Sequence, residues 1–576
     1  MSEGPDDWGD LDALPDEGDA PAPAEGLAAR LLADCAAQPL NDVGNGHRFA
    51  LHFADRAMWV ARVGWHVWDG CRWCEDPDTI ELRRLAQTMG GRIVAEIPHV
   101  PAPAPVRAAE IVAADLPPDL LARARAARTP AAIAALRGID PELAAVAEAL
   151  AWRARVAREW RGHARGSGNS GKIDAMLQEA SVRLSRPVEA LDADALWVNT
   201  RSGVLAFARD DAGRASLRLL PHDRGQWLTK LAPVNWRRDA PAPRFRAFLD
   251  RVQPGEAMQG FLQRWFGLSL TGLTGEQKLA FFHGGGANGK SVLVDVIARI
   301  LGDYAATAKV ESLTGKNRRG GGDATPDLMP LVGARFVRAS EPEMGAQLQE
   351  GTIKELTGGE PIMVRSLHAN FITVSPKFKL TISGNHKPEV RGSDDGIWRR
   401  LLLVPFAVQI PAAERDHRLV EKLWEERDGI FAWAVEGLLD YLEVGLAEPA
   451  EVLDATAEFR EESNPVASFL LQACVVTGRA EDSLSARELV EACNFWLVEQ
   501  GLSEWRPRTI SLRLAEMSRR WRAPDTGASF APRKTATRNA YDGIRFADLF
   551  AARFRDAPRD QRGRPLSGRQ ATDVEP

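Results

Sequence analysis

One octapeptide, Gly284-Gly285-Gly286-Ala287-Asn288-Gly289-Lys290-Ser291, constrains this chain more than any bulk property. It stands between a short apolar run, Leu279 to His283, and a segment from Ser291 to Leu301 whose apolar residues recur at helical spacing. A buried strand, a glycine-rich turn and a helix in immediate succession predict an α/β unit with a parallel sheet. Glycines in that turn let backbone N–H groups surround a triphosphate, and the helix N-terminus adds partial positive charge. Lys290 is then placed to neutralise the β- and γ-phosphates and Ser291 to hold Mg²⁺, so ATP and Mg²⁺ are the expected cofactors of Gly284 to Ser291. Lysine usage sharpens this. The chain has twelve Lys against sixty-one Arg, yet seven of the Lys lie between 290 and 387. A lysine kept where arginine is the default suggests a requirement for a compact point charge.

A hydrolase also needs acids and polar groups at the ends of neighbouring strands. Arg335 to Ser340 is a candidate second strand, delivering Glu341 and Glu343 at its end. The third, Phe378 to Ser383, ends in Gly384-Asn385, whose amide can sense a γ-phosphate or orient water. Trp398-Arg399-Arg400 precedes the apolar run Leu401 to Phe406, and an arginine there can reach a neighbouring subunit's phosphate, although paired arginines before a strand are as readily a solvated surface. A second GxxxxGK string, Gly166 to Lys172, lacks a hydroxyl at Ile173 and follows an Arg-rich helix where a strand is needed, so it reads as a linker.

The 576-residue chain divides by composition. Residues 1–25 hold nine Asp or Glu and no Lys or Arg, which predicts a disordered acidic arm extending to about residue 40. Trp59, Trp65, Trp68 and Trp73 alternate at strand-like spacing. From Asp115 to Arg165 the chain reads as Ala- and Arg-rich helices broken at Pro117-Pro118, Pro130 and Pro141. Cys71 and Cys74 form a CxxC with no second ligand pair nearby, so no metal centre is expected. No apolar stretch reaches the roughly 18 residues of a membrane span and the acidic start is unlike a signal peptide, so no membrane contact and a cytoplasmic location are expected. Between Arg506 and Arg555 twelve Lys or Arg stand against four Asp or Glu, with Trp505 and Trp521 among them, a composition suited to nucleic acid.

Taken together, FFHGGGANGKS at 281–291, ASEPE at 339–343, KELTGGEPIMVRSLHANFITVSPKFKLTISGNHKP at 354–388 and DDGIWRRLLLVPF at 394–406 resemble the superfamily 3 helicases. The likeness is to the helicase portion of phage and plasmid primase-helicases, and it is similar also to the poxvirus replicative helicase. It extends upstream through NDVGNGHRF and WHVWDGCRW, covering most of 41–465. The resemblance implies an AAA+-like ATPase, a homo-hexameric ring that moves on single-stranded and forked DNA beside a primase, a polymerase and a single-strand binding protein. It implies that Lys290 and Ser291 hold phosphate and Mg²⁺, that Glu341 with Glu343 forms the acidic motif, Glu341 or Glu343 on the metal, and that Asn385 is the sensor. Arg399 or Arg400 becomes a finger acting in trans. It assigns 360–374 to a pore hairpin with Arg365 and His368 as DNA contacts and Lys377 at its base, and 466–555 to a winged-helix-like domain.

The expected fold is thus α/β: an AAA+-like P-loop NTPase core at 276–410, an N-terminal α+β helicase-associated region at 41–275, a helical extension at 411–465, a C-terminal winged-helix-like domain at 466–555 and a loose tail at 556–576. The expected activity is ATP-dependent DNA unwinding in a phage, prophage or plasmid. The alternatives are a primase-helicase and an ATP-switched origin binder or loader. Family primases carry a polymerase-type domain ahead of the match; only about forty residues precede it here, so primer synthesis is not expected.

Overall fold

The computed structural model describes residues 23–315, 325–340, 342, 346–365, 371–390, 395–534, 539–560 and 563–566. The chain divides into two compact units, 1–193 with 222–230 and 194–221 with 231–576.

The first unit is built around the tryptophan alternation. Strands Ala57–Val60, Gly64–Trp68, Trp73–Glu75 and Ser185–Arg186 form a four-stranded sheet. Trp59 pairs across to Trp65, their rings edge-on at 5.3 Å, and Trp73 stacks on Trp227 at 5.8 Å. Helix Asp42–Phe53 packs Phe49 and Phe53 into the same core as Trp65 and Leu82. The prolines do what their sequence positions predict: Pro118, Pro130 and Pro141 each open a helix, where the missing N–H costs nothing.

Two expectations are corrected here. The arm does not run to residue 40, because Pro23–Ala36 is a helix whose Cys35 and Ala36 are buried; residues 1–22 lie outside the described residues. The 166–172 string is not a free linker. Gly166 and Ser167 end one long helix, and Ser170 to Lys172 begin the next, with Lys172 paired to Asp42.

The second unit holds the expected parallel sheet. Its strands are β1 (Leu279–His283), β2 (Ala305–Ala308), β3 (Phe336–Ala339), β4 (Lys379–Gly384) and β5 (Leu401–Pro405), ordered β5-β1-β4-β3-β2 with every neighbouring pair parallel. Helix α1 (Lys290–Leu301) follows β1, and its Leu293, Val296, Ile297 and Ile300 are buried in the same apolar core as Ala280 and Phe282 of β1. Between β3 and β4 lie α2 (Glu350–Gly358) and a hairpin pairing Ile362–Val364 with Ile372–Val374. The four-residue helix α3 (Asp395–Trp398) precedes β5. Helices Glu256–Leu268 and Arg427–Val444 cross closely at Gly267 and Gly437, where an added Cβ would fall 2.2 Å from Leu438 N and 2.0 Å from Gln263 O.

The polar residues of β3 have structural work. Arg335 is buried, stacks over Tyr304 at 4.4 Å and donates to the carbonyls of Trp197, Leu270 and Asp194 at 2.6, 2.8 and 3.3 Å. Arg338 pairs with Asp295 of α1 and bonds Thr307 at 3.0 Å. After β5, α4 (Ala450–Glu462) leads into a C-terminal domain. There α5 (Pro465–Ala473), α6 (Ala486–Glu499) and α7 (Pro507–Arg520) surround one apolar core with strands Ala531–Lys534, Asn539–Asp542 and Ile544–Phe546.

Candidate functional site

In an open parallel sheet, ligands bind beyond the carboxyl ends of the strands, where the strand order reverses. Here β1 is that point: the chain runs from it toward β2 on one side and ends at β5 on the other. Gly284 to Gly289 leaves β1 at this edge. Gly289 has φ +83°, and a Cβ there would stand 2.6 Å from Val252 and 2.9 Å from Phe248, so only glycine fits on both backbone and steric grounds. At Gly284 a Cβ would meet the Phe406 carbonyl at 2.3 Å. The loop is tied to the end of β5 by Asn288 Nδ2 donating to Phe406 O at 3.2 Å and by Ile410 N donating to Ala287 O at 2.7 Å.

Lys290 lies in the first turn of α1, its side chain buried. Its Nζ donates to Gly284 O at 2.7 Å, Asn288 Oδ1 at 3.0 Å and Asn385 Oδ1 at 3.2 Å. Lys290, in the helix after β1, and Asn385, directly after the neighbouring strand β4, therefore meet. Ser291 is exposed beside them in the same helical turn, and Gly285 and Ala287 are exposed on the loop. An exposed glycine-rich loop, a helix N-terminus, a buried ammonium and a free-standing hydroxyl match a nucleotide phosphate with its Mg²⁺.

Sequence reasoning missed two neighbours. His283, the last residue of β1, is half-buried, and burial, then Lys387, then Lys290 hold its pKa below the usual imidazole value. It is neutral near pH 7 and so adds no third cation to the site. Lys387, two residues past Asn385, reaches Glu462 at 2.6 Å. The lysine clustering that singled out Lys290 also includes Lys387, and that was its available signal.

The two arginines before β5 separate. Arg399 is exposed, whereas Arg400 is buried and donates to Gly396 O at 2.8 Å and Gln277 Oε1 at 3.2 Å. Both stand at the amino end of β5, away from the loop edge. The acidic residues Glu341 and Glu343 and the hairpin residue His368 lie outside the described residues. Arg365 ends the first hairpin strand, its guanidinium over the Phe371 ring at 4.5 Å. Lys377 is half-buried ahead of β4, beside the fully buried Lys379. Lys379 donates to Leu273 O and Lys377 O at 3.2 and 3.3 Å and to Thr271 O; burial, then Arg335, pushes its pKa far below the usual lysine value.

In the C-terminal domain Trp505 and Trp521 do not face outward as base-stacking platforms. Trp505 is buried in the domain core, and Trp521 packs edge-on against Phe530 at 6.4 Å. Arg513 is buried, whereas Arg508, Arg519, Arg533 and Lys534 face solvent. The Asp192 carboxylate accepts from the Thr229 backbone N–H at 3.0 Å and from its hydroxyl, linking two distant segments of the first unit. No helix among the described residues is long and apolar enough to cross a membrane.

Residues 46–254 match a family model described as "D5 N terminal like", and residues 282–400 match a "Family of unknown function (DUF5906)". A "Putative helicase" of Acanthamoeba polyphaga mimivirus is 27% identical over 266 residues, covering 43% of this chain and 28% of that protein. A protein of the same description from Frog virus 3 is 29% identical over 170 residues, 29% of this chain and 17% of its own length. A "Putative primase" of African swine fever virus is 25% identical over 126 residues, 22% of this chain and 13% of its own length. The matched segment thus spans less than a third of each of these relatives. Among solved structures, the C-terminal region of NrS-1 in its apo form aligns with TM-score 0.34 and 12% identity, covering 55% of this chain and 78% of that one. By its D5 N-terminal-like segment and its viral helicase and primase relatives, the chain is similar to the phage and viral primase-helicases.

Proposed function

We propose that the chain is an ATP-dependent DNA helicase of the superfamily 3, AAA+-like type, which hydrolyses ATP to move on and unwind DNA during replication of a phage, prophage or plasmid. One observation carries the reading: at the carboxyl edge of a parallel sheet ordered β5-β1-β4-β3-β2, Lys290 of the glycine-rich loop and Asn385 of the adjacent strand converge within 3.2 Å.

In this reading Lys290 turns from its three oxygens to the β- and γ-phosphates. Asn385, released from Lys290, orients the attacking water. Ser291, with Glu341 or Glu343, would hold Mg²⁺, which would supply positive charge against the charge that develops on the transferred phosphoryl group. Arg399 is the finger. It is exposed, while Arg400 is committed to Gly396 and Gln277. Five residues of β5 separate the arginine from its own loop edge, about 16 Å at strand rise, so it serves a phosphate bound by a neighbouring subunit. A homo-hexameric ring supplies such a neighbour. Arg365, His368 and Lys377 are the proposed DNA contacts of the hairpin, gripping phosphates without reading bases. The exposed Arg508, Arg519, Arg533 and Lys534 suit a winged-helix-like contact to duplex.

The test is strand displacement on a forked duplex with ATP and Mg²⁺. Unwinding by wild type, lost in Lys290→Ala, is the expected result. ATP hydrolysis without displacement on any substrate would favour an ATP-switched origin binder, and primer synthesis on single-stranded template would favour a primase-helicase.

A further inference from the structure

The last turn of α4 touches two parts of the ATPase unit and opens on a third. Glu462 accepts from Lys387 Nζ at 2.6 Å, and the Lys387 ammonium lies 5.5 Å from the centre of the Phe459 ring. Phe459 in turn meets Trp398 edge-on, centroids 5.4 Å apart. Arg460, between them, pairs with Asp395. Lys387 stands two residues beyond Asn385, and Asp395 and Trp398 are the first and last residues of α3, directly ahead of Arg399. After Glu462 only Ser463 and Asn464 precede Pro465, where the C-terminal domain begins, and Asn464 reaches Met517 of α7 at 3.7 Å. Farther back on the same helix, Thr456 accepts from Leu403 N of β5 at 2.9 Å.

We propose that Lys387 is a positioning residue for nucleotide hydrolysis: its bond to Glu462 fixes the Asn385 segment beside Lys290 and ties that placement, through the last turn of α4, to the helix ahead of Arg399 and to the C-terminal domain. This rests on the ATPase reading above. Asn385 follows directly on β4, so its amide is aimed by where the next two residues are held. The Lys387 and Glu462 side chains keep 23% and 49% of their exposure. A pair so wet adds little to overall stability, so its effect is on placement and rate rather than on melting. The same turn holds α3 by one ion pair and one aromatic contact. A shift of the Asn385 segment is therefore felt at the finger of this subunit, which serves its neighbour.

The test compares full-length Lys387→Met, Glu462→Gln, the double variant and Lys387→Arg with wild type. The readouts are binding of a fluorescent ATP analogue in Mg²⁺, ATP turnover, and hydrogen exchange of 395–400 measured without nucleotide. Each single neutralising variant should lower kcat about tenfold with analogue Kd within about twofold, and the double should lose no more than a single, since all remove one bond. Lys387→Arg, which keeps the charge, should recover most of kcat. Exchange at 395–400 should rise in the neutralised variants. A Kd weakened about tenfold in Lys387→Met but not in Glu462→Gln would make Lys387 a direct phosphate ligand and overturn the proposal, as would losses that multiply in the double variant. Unchanged exchange at 395–400 overturns the tether whatever the nucleotide results. Absence of analogue binding by wild type would instead refute the nucleotide site, and with it any role in hydrolysis.

Discussion

Replacing Lys290 by Met should weaken nucleotide binding by roughly two orders of magnitude while leaving the fold nearly as stable, and the magnitudes follow from its surroundings. The buried ammonium makes three described hydrogen bonds, to Gly284 O, Asn288 Oδ1 and Asn385 Oδ1. Hydrogen bonds to a charged group contribute about 1.5–3 kcal/mol each. Against this, keeping an ammonium out of water costs several kcal/mol. Methionine has a similar length and removes both contributions together, so the net change in stability should stay within about 2 kcal/mol. Binding behaves differently, because the ammonium's attraction to a triphosphate exists only with ligand present. Losing about 3 kcal/mol of it weakens Kd roughly 150-fold. At a ligand concentration of about 100 Kd, wild type gains roughly 2.7 kcal/mol of stability, whereas the variant, at about 0.7 of its own Kd, gains about 0.3. Urea titration with and without Mg²⁺ and ATP measures both quantities on one sample. A variant that is stabilised by ATP as much as wild type would refute the assignment of Lys290 to phosphate; one that unfolds without ligand would refute the balance of terms.

Three further outcomes are expected. Gly289→Ala combines a left-handed backbone with contacts at 2.6 and 2.9 Å to Val252 and Phe248, so it should destabilise by about 2–4 kcal/mol and weaken ATP binding, read by urea and analogue titration. Arg399→Ala should cut ATP turnover at least about a hundredfold with stability unchanged, while Arg400→Ala should cost about 1–3 kcal/mol of stability through lost buried bonds; the reverse pattern would exchange their roles. His52, in the N-terminal unit, has its pKa lowered to about 4 by burial, then Arg92, then Arg48. A folded pKa below the unfolded 6.5 means that the unfolded chain takes up the proton first as pH falls, so stability is lost between pH 6.5 and about 4. After allowance for its partial exposure the loss is about 1–2 kcal/mol, and His52→Gln should remove it from urea melts compared at pH 7 and pH 4.5.

The core was legible because its signal is local. A strand of five apolar residues, a loop whose glycines answer Val252, Phe248 and Phe406, and a helix with one apolar face are each readable from contiguous sequence, as were the prolines at Pro118, Pro130 and Pro141. What escaped depends on contacts across long separations. The burial of Arg335 depends on acceptors at the carbonyls of 194, 197 and 270, which no periodicity announces. Trp505 and Trp521 suggested nucleic-acid stacking by company with arginines, but a small domain must bury its aromatics, and it does. Cys35 and Ala36 lie in a helix too close to an acidic arm for composition to separate the two.

Strand direction is the physical criterion that sorts the charged residues. Lys290 and Lys379 are both buried lysines bonded to neutral oxygens, and sequence alone treats them alike. Lys379 opens β4, at the amino edge of the sheet, and its acceptors are carbonyls of the chain that follows helix Glu256–Leu268, so it acts as a structural clasp. Lys290 follows β1, at the carboxyl edge, beside an exposed glycine loop that a phosphate can reach. On the proposed reading, the same criterion leaves an arginine at the amino end of β5 without a phosphate in its own subunit. Of the two arginines on that edge, Arg400 is buried as scaffold and Arg399 is exposed. On the proposed reading, ring assembly is therefore not an addition to catalysis but the condition under which Arg399 would take part in it.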